Sequence, residues 1–359
     1  MFCVAKFGVP ERTETSLLVI NRRGAKRQRH NQQSPPRHYG SLAIKGGSMS
    51  RFMYRPGVCL TVLLLMSVGT VRAATTLYVN CGGKGPLTSI GAALKVLQNV
   101  PGPSTINVSG ACNENVLIQN LDRLTLNAAP GASINDVSGG NADTVQIASS
   151  QSVSINNFTI NGGASGVDCL FGSLCYLNGN TVQGATGNAG VNTGALSRTF
   201  VSGGTIQNNF FGINAQNGGG VWAFGVLIQQ NQQGVNLVSQ GLLQTNATIT
   251  ANVGGGIFAT HNSTLNCNGC NVTRNGDVGI ILRRNSTARF NGGAVITGNT
   301  GGGVLLTEES SAFFPAPANV SGNPGAHYDV ACGASATTAK LATVNIGSGS
   351  TNCVEPVDP

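Results

Sequence analysis

The feature that most constrains this chain is a pair of sequence markers that return together at a nearly fixed period. A Gly followed by a β-branched residue recurs at Gly166-Val167, Gly190-Val191, Gly212-Ile213, Gly234-Val235, Gly256-Ile257, Gly279-Ile280 and Gly303-Val304, in steps of 24, 22, 22, 22, 23 and 24 residues. An Ile or Val two or three residues before an Asn keeps the same period, at Ile206/Asn208, Ile228/Asn231, Ile249/Asn252, Val272/Asn275, Ile296/Asn299 and Val320/Asn323. Such a period means one supersecondary unit stacked on copies of itself. Between the markers, GVNLV, GIFAT, GIILR and GVLLT are short apolar-polar alternations broken by Gly, Asn, Ser and Thr, and no stretch there carries a long 3.6-residue stripe. A unit of about 23 residues holds three short strands and three turns, and stacked in parallel at about 4.8 Å per coil it makes a parallel β-helix. Parallel crossovers are overwhelmingly right-handed.

The repeated I-x-x-N-x-x-x-G-[VI] of ITANVGGGI, VTRNGDVGI and ITGNTGGGV, together with LTSIGAALKVLQN followed by STINVSGACNENVLI, resembles the right-handed parallel β-helix, or pectin-lyase-like, superfamily over roughly Leu77 to Val330. The resemblance implies an all-β solenoid of about ten coils of 22–24 residues with an N-terminal capping helix. It also implies that any catalysis uses clustered carboxylates, an Arg or Lys base, or bound calcium on one outward face. The chain shows no paired Asp-Asp, His-Gly, Arg-x-Lys or Gly-x-Tyr-x-Glu, so the resemblance points to a fold more firmly than to an activity.

Charge excludes one class of function. Twelve of the 21 Lys and Arg lie in residues 1–72, and from Ala74 onward nine basic side chains face eleven acidic ones. A nucleic-acid surface needs clustered cations in the folded part, so no nucleic-acid partner is expected. The early cations belong to a targeting region: Arg51 and Arg55 precede the apolar run Val58 to Val68, and Val71-Arg72-Ala73 supplies the small residues of a cleavage site. Residues 49–73 are thus expected to be a signal peptide, whose apolar run is too short to span a membrane as a helix. Residues 1–48 are expected to be a leader that precedes a start at Met49 or Met53, the alternative being a real, disordered extension of the chain. Eight cysteines follow, an even number in an exported chain, and local disulfides are expected for Cys81 with Cys112, Cys169 with Cys175, Cys267 with Cys270 and Cys332 with Cys353. No metal site or cofactor is expected; a lone Cys-x-x-Cys falls short of four zinc ligands.

Residues 74–103 form the N-terminal cap. Ser89 to Val100 reads as a helix with Thr88 or Ser89 at its N-cap and a stripe of Ile90, Ala93, Leu94, Leu97 and Val100 that lids the first coil. Coils run over 104–331, and 332–359 form a C-terminal cap or tail. Strand alternation turns Val235/Leu237, Ile257/Ala259, Ile280/Leu282 and Val304/Leu306 inward, and Thr260 outward. The Asn series is expected to stack as a ladder at a turn. The N-x-S/T sequons at Asn107, Asn157, Asn246, Asn262, Asn271, Asn285 and Asn319 follow from turn chemistry more often than from glycan attachment.

Three outward rows are candidates for function. His261, Arg284 and Glu308 each lie four residues after a marker and should stack on successive coils, where a base beside a cation could serve a sugar carboxylate; the bland reading is an exposed charge ladder. Phe200 and Trp222 fall nine residues after Val191 and Ile213, with Gln244, Asn266 and Arg289 next, a row of aromatics and amides suited to a sugar ring. Gln146, Asp168, Asn192, Asn214 and Asn236 form a polar outward row that turns apolar at Phe258, Ile281 and Leu305. Two functions are therefore carried forward. One is a secreted β-helix that binds polysaccharide or cell-surface glycan, with weak lyase- or epimerase-type turnover left open; the other is a non-catalytic surface or adhesive scaffold.

Overall fold

The computed structural model describes residues 74–100, 102–324 and 329–333, and the backbone of strands Thr338–Leu341, Val344–Ile346 and Val354–Pro356. The chain divides into units Met1–Val68 and Gly69–Pro359. The expected leader, the signal peptide and Cys353 all lie outside the described residues.

The second unit is an all-parallel solenoid of three sheets. Sheet 1 contains the marker strands, from Val116–Gln119 through Ile257–Thr260 to Val330–Cys332. Sheet 2 starts at Thr75–Asn80 and passes through Gly220–Phe224 and Thr287–Asn291, and sheet 3 runs from Ala111–Asn113 through Thr205–Gln207 and onward. Markers pair in register from coil to coil, Val167 on Val191, Ile213 on Val235, Ile257 on Ile280 and Val304 on Val330. The inward side chains expected from alternation are buried, among them Val235, Leu237, Ile257, Ala259, Ile280 and Leu282. Each buried aliphatic is worth about 1.5–3 kcal/mol. Further along, Phe290 and Phe314 stack inside the core with centroids 4.3 Å apart.

Two polar ladders close the turns. In the first, Asn209 donates through Nδ2 to Oδ1 of Asn231 (3.0 Å), and the chain continues through Asn252, Asn275, Asn299 and Asn323 to Asp329. Each Oδ1 also accepts the backbone N–H of the preceding Asn, and each Nδ2 reaches a carbonyl one coil back, as Asn231 does to Ile206 O. Every buried polar atom of the row is thereby satisfied. The first rung corrects the sequence reading: it is Asn209, not Asn208, which is exposed at φ 55°. The marker Gly belongs to the same device. A Cβ at Gly234 would come within 2.5 Å of Gly256 O and 2.8 Å of Asn252 Nδ2, so only Gly lets the coils and the ladder close up.

In the second ladder the N–H of Ser263 donates to Ser286 Oγ and that of Ser286 to Ser310 Oγ, both at 3.2 Å. Ser263 and Ser286 are buried, so this ladder is interior to the turn.

The cap helix spans Ile90–Leu97, shorter at its end than the stripe implied, with Ser89 Oγ accepting from Ala92 N at 3.1 Å. Glu114, on the turn after Ala111–Asn113, takes the N–H groups of Ile90 and Gly91 at 2.7 and 2.9 Å. A carboxylate there neutralises the positive helix end. Disulfides join Cys81 to Cys112, Cys169 to Cys175 and Cys267 to Cys270, as expected, and Cys332 is also disulfide-bonded.

Candidate functional site

The outer face of sheet 2 carries the aromatic row. Tyr176 pairs with Phe200, Phe200 with Trp222, Trp222 with Gln244, Gln244 with Asn266, Asn266 with Arg289 and Arg289 with Phe313. All five expected residues thus stand in one line, and the structure adds Tyr176 and Phe313 at its ends. Both were within reach of the sequence, since each also lies nine residues after a marker, Val167 and Val304.

Tyr176 and Phe200 have ring centroids 5.2 Å apart, and Phe200 and Trp222 4.9 Å, each pair 16° from parallel. Carbon atoms in contact sit about 3.5–4.0 Å apart, so parallel rings at these centroid separations are offset like shingles, each leaving part of its face open. All three are half-exposed. The Trp222 ring lies over Gly220, where a Cβ would come within 3.0 Å of Cζ3. Its Nε1 donates to Gln244 Oε1 at 3.1 Å, and the Arg198 guanidinium lies 6.0 Å from its centroid. At the far end Arg289 sits 5.1 Å over Phe313. On the strands from Arg198–Ser202 to Thr287–Asn291, the charged side chains are Arg198 and Arg289, with no acidic residue among them.

His261, Arg284 and Glu308 are also brought together, at the turn between sheets 1 and 2, all with positive φ. Arg284 Nη1 contacts His261 Nε2 at 2.6 Å, and its Nε donates to Glu308 Oε2 at 3.0 Å. Arg283 donates through Nε and Nη2 to Glu308 Oε1. A guanidinium only donates, so Nε2 accepts, and the imidazole lone pair that a general base would use is already engaged. The two arginines hold the Glu308 carboxyl below the usual carboxylate range, hydrogen bonding from Arg283 contributing most.

The third row departs from its expected outward exposure. Asp168, Asn192 and Asn214 lie on the outer face of sheet 1 but are buried. Asn192 Nδ2 donates to Asp168 Oδ1 at 2.7 Å, Asn214 to Asn192 at 2.8 Å and Asn236 to Asn214 at 2.8 Å. Asp143, which the sequence reading missed, neighbours Asp168, and Gln146 reaches Asp143 at 3.4 Å. Burial first, and then the neighbouring Asp143 carboxylate, push the Asp168 carboxyl up to about 7. The proton of Asp168 is therefore in play near neutrality, and the residue stands on sheet 1, not on the aromatic row. Thr260, the other side chain expected outward, is buried beside His261, with its Oγ1 3.2 Å from Nδ1.

Three stacked parallel sheets with one interior define a β-helix protein. Residues 143–300 match the family model described as the right handed beta helix region, which places this solenoid in the right-handed parallel β-helix class. No curated protein matches the chain. Among solved structures it is similar to the A-module of a mannuronan C-5 epimerase from Azotobacter vinelandii, at 12% identity over 75% of this chain and 94% of that one, TM-score 0.40. It is also similar to a lacto-N-biosidase from Eubacterium ramulus (9%, 79% of this chain, 68% of that one, TM-score 0.30). A third is an alginate lyase from Paenibacillus sp. (11%, 79% and 97%, TM-score 0.28). Likenesses this distant carry no argument about chemistry. Among the described residues no helix is long and apolar enough to cross a membrane.

Proposed function

We propose that the protein binds an acidic polysaccharide along the outer face of sheet 2, outside the cytoplasm. The observation that carries this reading is the shingled, half-exposed stack Tyr176–Phe200–Trp222 continuing into Gln244, Asn266 and Arg289. Partly open aromatic faces bury the apolar face of a pyranose, and amides meet its hydroxyls. Arg198 and Arg289 give the strip a positive sign with no carboxylate to oppose it, which favours uronate over neutral sugars. Disulfides persist in oxidising compartments, which supports the extracellular placement. The row His261, Arg284 and Glu308 borders this face at the turn, and its mutual pairing supports a charge ladder ahead of turnover.

The test is a titration of Trp222 emission, this being the sole Trp in the chain, with polygalacturonate, alginate and xylan. Emission is expected to change with the two uronate polymers, and to change less with xylan. Trp222→Ala, followed by calorimetry, is expected to weaken binding by about 1 kcal/mol or more, since a few aromatic anchors carry most of an interface's affinity. Unchanged emission against all three polymers, with the protein folded, would replace this reading with the scaffold. The mutually paired side chains of His261, Arg284 and Glu308 already suit that alternative.

A further inference from the structure

We infer that the glycan track has a second subsite some way from the aromatic row, a groove at the N-terminal end of the same sheet that takes a pyranose of the same chain. This rests on the binding reading above. The groove has a volume of about 530 Å³ and lies between the outer face of the first sheet 2 strands and the segment Gly85–Leu87. Tyr78 lines it and is 73% exposed, so its ring is open to a ligand. Pro86, Leu87 and Ala128 supply apolar wall, and Asn80, Asn107 and Asn127 supply amides.

The wall is held in place before any ligand arrives. Asn80 N donates to Leu87 O at 3.0 Å, Gly83 N to Asn80 O at 3.2 Å, and the Cys81–Cys112 disulfide fixes the root of the segment. A preformed concavity with an aromatic side and a few amides has the usual make-up of a small-ligand site.

The groove also opens onto the proposed track. Tyr78 pairs with Asn107, and the line continues through Asn127, Asn156 and Asn178, the last on the same strand as Tyr176. Along this line Asn178 donates to Asn156, Asn156 to Asn127 (both 2.8 Å) and Asn127 to Asn107 (3.3 Å). Every amide passes its Nδ2 to the next, and the ladder ends at Asn107, whose Nδ2 meets no acceptor among the described residues. A ladder polarised in one direction thus leaves its terminal donor at Tyr78, ready for a sugar hydroxyl or carboxylate. The parallel row beside it, Thr76, Thr105, Thr125 and Ser154, leads to Tyr176 and is uncharged. At about 4.8 Å per coil the groove lies about 19 Å from Tyr176 and about 29 Å from Trp222. Only a chain long enough to span that distance can occupy both.

Length dependence is therefore the signature. Two linked contacts raise affinity through effective concentration without any new interaction. Size-graded oligogalacturonides, titrated into the full protein with Trp222 emission as the readout, are expected to bind at least about tenfold more tightly once they span both sites. Tyr78→Ala and Asn107→Ala are expected to bind the short fragments as the wild type does and to lose that gain. Tyr78 is exposed, so its variant folds, and the emission response to short fragments verifies this. A gain with length that survives both substitutions overturns the second subsite while leaving the aromatic row intact. No response at any length overturns the parent reading, and this one with it.

Discussion

Asn209→Ala is expected to lower the unfolding free energy by about 3–5 kcal/mol, whereas Asn208→Ala, one residue earlier, costs about 1 kcal/mol or less. The difference follows from what each amide touches. Asn209 Oδ1 accepts the N–H of Ala185 at 2.9 Å, and its Nδ2 donates to Val182 O at 3.2 Å and to Asn231 Oδ1 at 3.0 Å. Truncation leaves the Ala185 N–H and the Val182 carbonyl without that partner in the interior. A buried donor or acceptor left unmet costs about 1–3 kcal/mol, and the small cavity adds to it. Asn208 has an exposed side chain, and its contribution is tolerance of the left-handed backbone at φ 55°, where Asn is favoured over Ala by a fraction of the 1–2 kcal/mol left-handed penalty, roughly. Denaturant unfolding of both variants against the wild type decides the matter. Equal midpoints would show that the ladder does not carry the turn.

The same pair of residues shows how far the sequence could be read. Two series with one period give the coils, the inward positions and the stacking of Phe200 on Trp222, because a solenoid repeats its geometry as faithfully as its spacing. Choosing between Asn208 and Asn209 needed only a constant offset. Every later rung lies three residues after its Ile or Val, and 206 plus that offset selects Asn209. The offset of nine that reaches Trp222 likewise reaches Tyr176 and Phe313. Glu114 at the cap and Asp143 beside Asp168 obey no offset. They stand in turns and connections outside the repeated strands, and their partners are set by tertiary approach. Alternation assigned Asp168, Asn192, Asn214 and Thr260 correctly to the outward side of their strands, yet outward is not exposed. Side chains that bond to one another along a sheet face cover each other, as Asn192 does Asp168 and Asn214 does Asn192. The Tyr78 groove was invisible for a related reason, since its walls come from the first strand, the Gly85–Leu87 segment and two further coils.

The protein is expected to be more stable at pH 5 than at pH 8, and Asp168→Asn is expected to abolish that difference. Asp168 is buried against Asp143, Gln146 and Asn192, so its charged form is penalised by lost hydration and by the Asp143 carboxylate, and its carboxyl rises to about 7 from an ordinary 3.8. Between those values the folded chain holds a proton that the unfolded chain has released. Stability from this group is therefore complete below about pH 4, declines as pH rises, and is gone once pH passes the folded value near 7. The gap corresponds to a loss on the order of 2–4 kcal/mol for a group so largely desolvated. Asn at this position can still accept from Asn192 Nδ2 and can donate permanently to Asp143, so it reproduces the protonated state at every pH. Its unfolding midpoint in denaturant should be nearly the same at pH 5 and pH 8, and at pH 8 it should exceed that of the wild type. A wild-type midpoint that is flat or rising across this range would mean that Asp168 is ionised in the fold. The glycan titration adds a second readout, because the carboxyl pair faces sheet 1 and the aromatic row faces sheet 2. If binding resides on sheet 2 as proposed, Asp168→Asn shifts the pH profile of stability and leaves the Trp222 response to polygalacturonate unchanged.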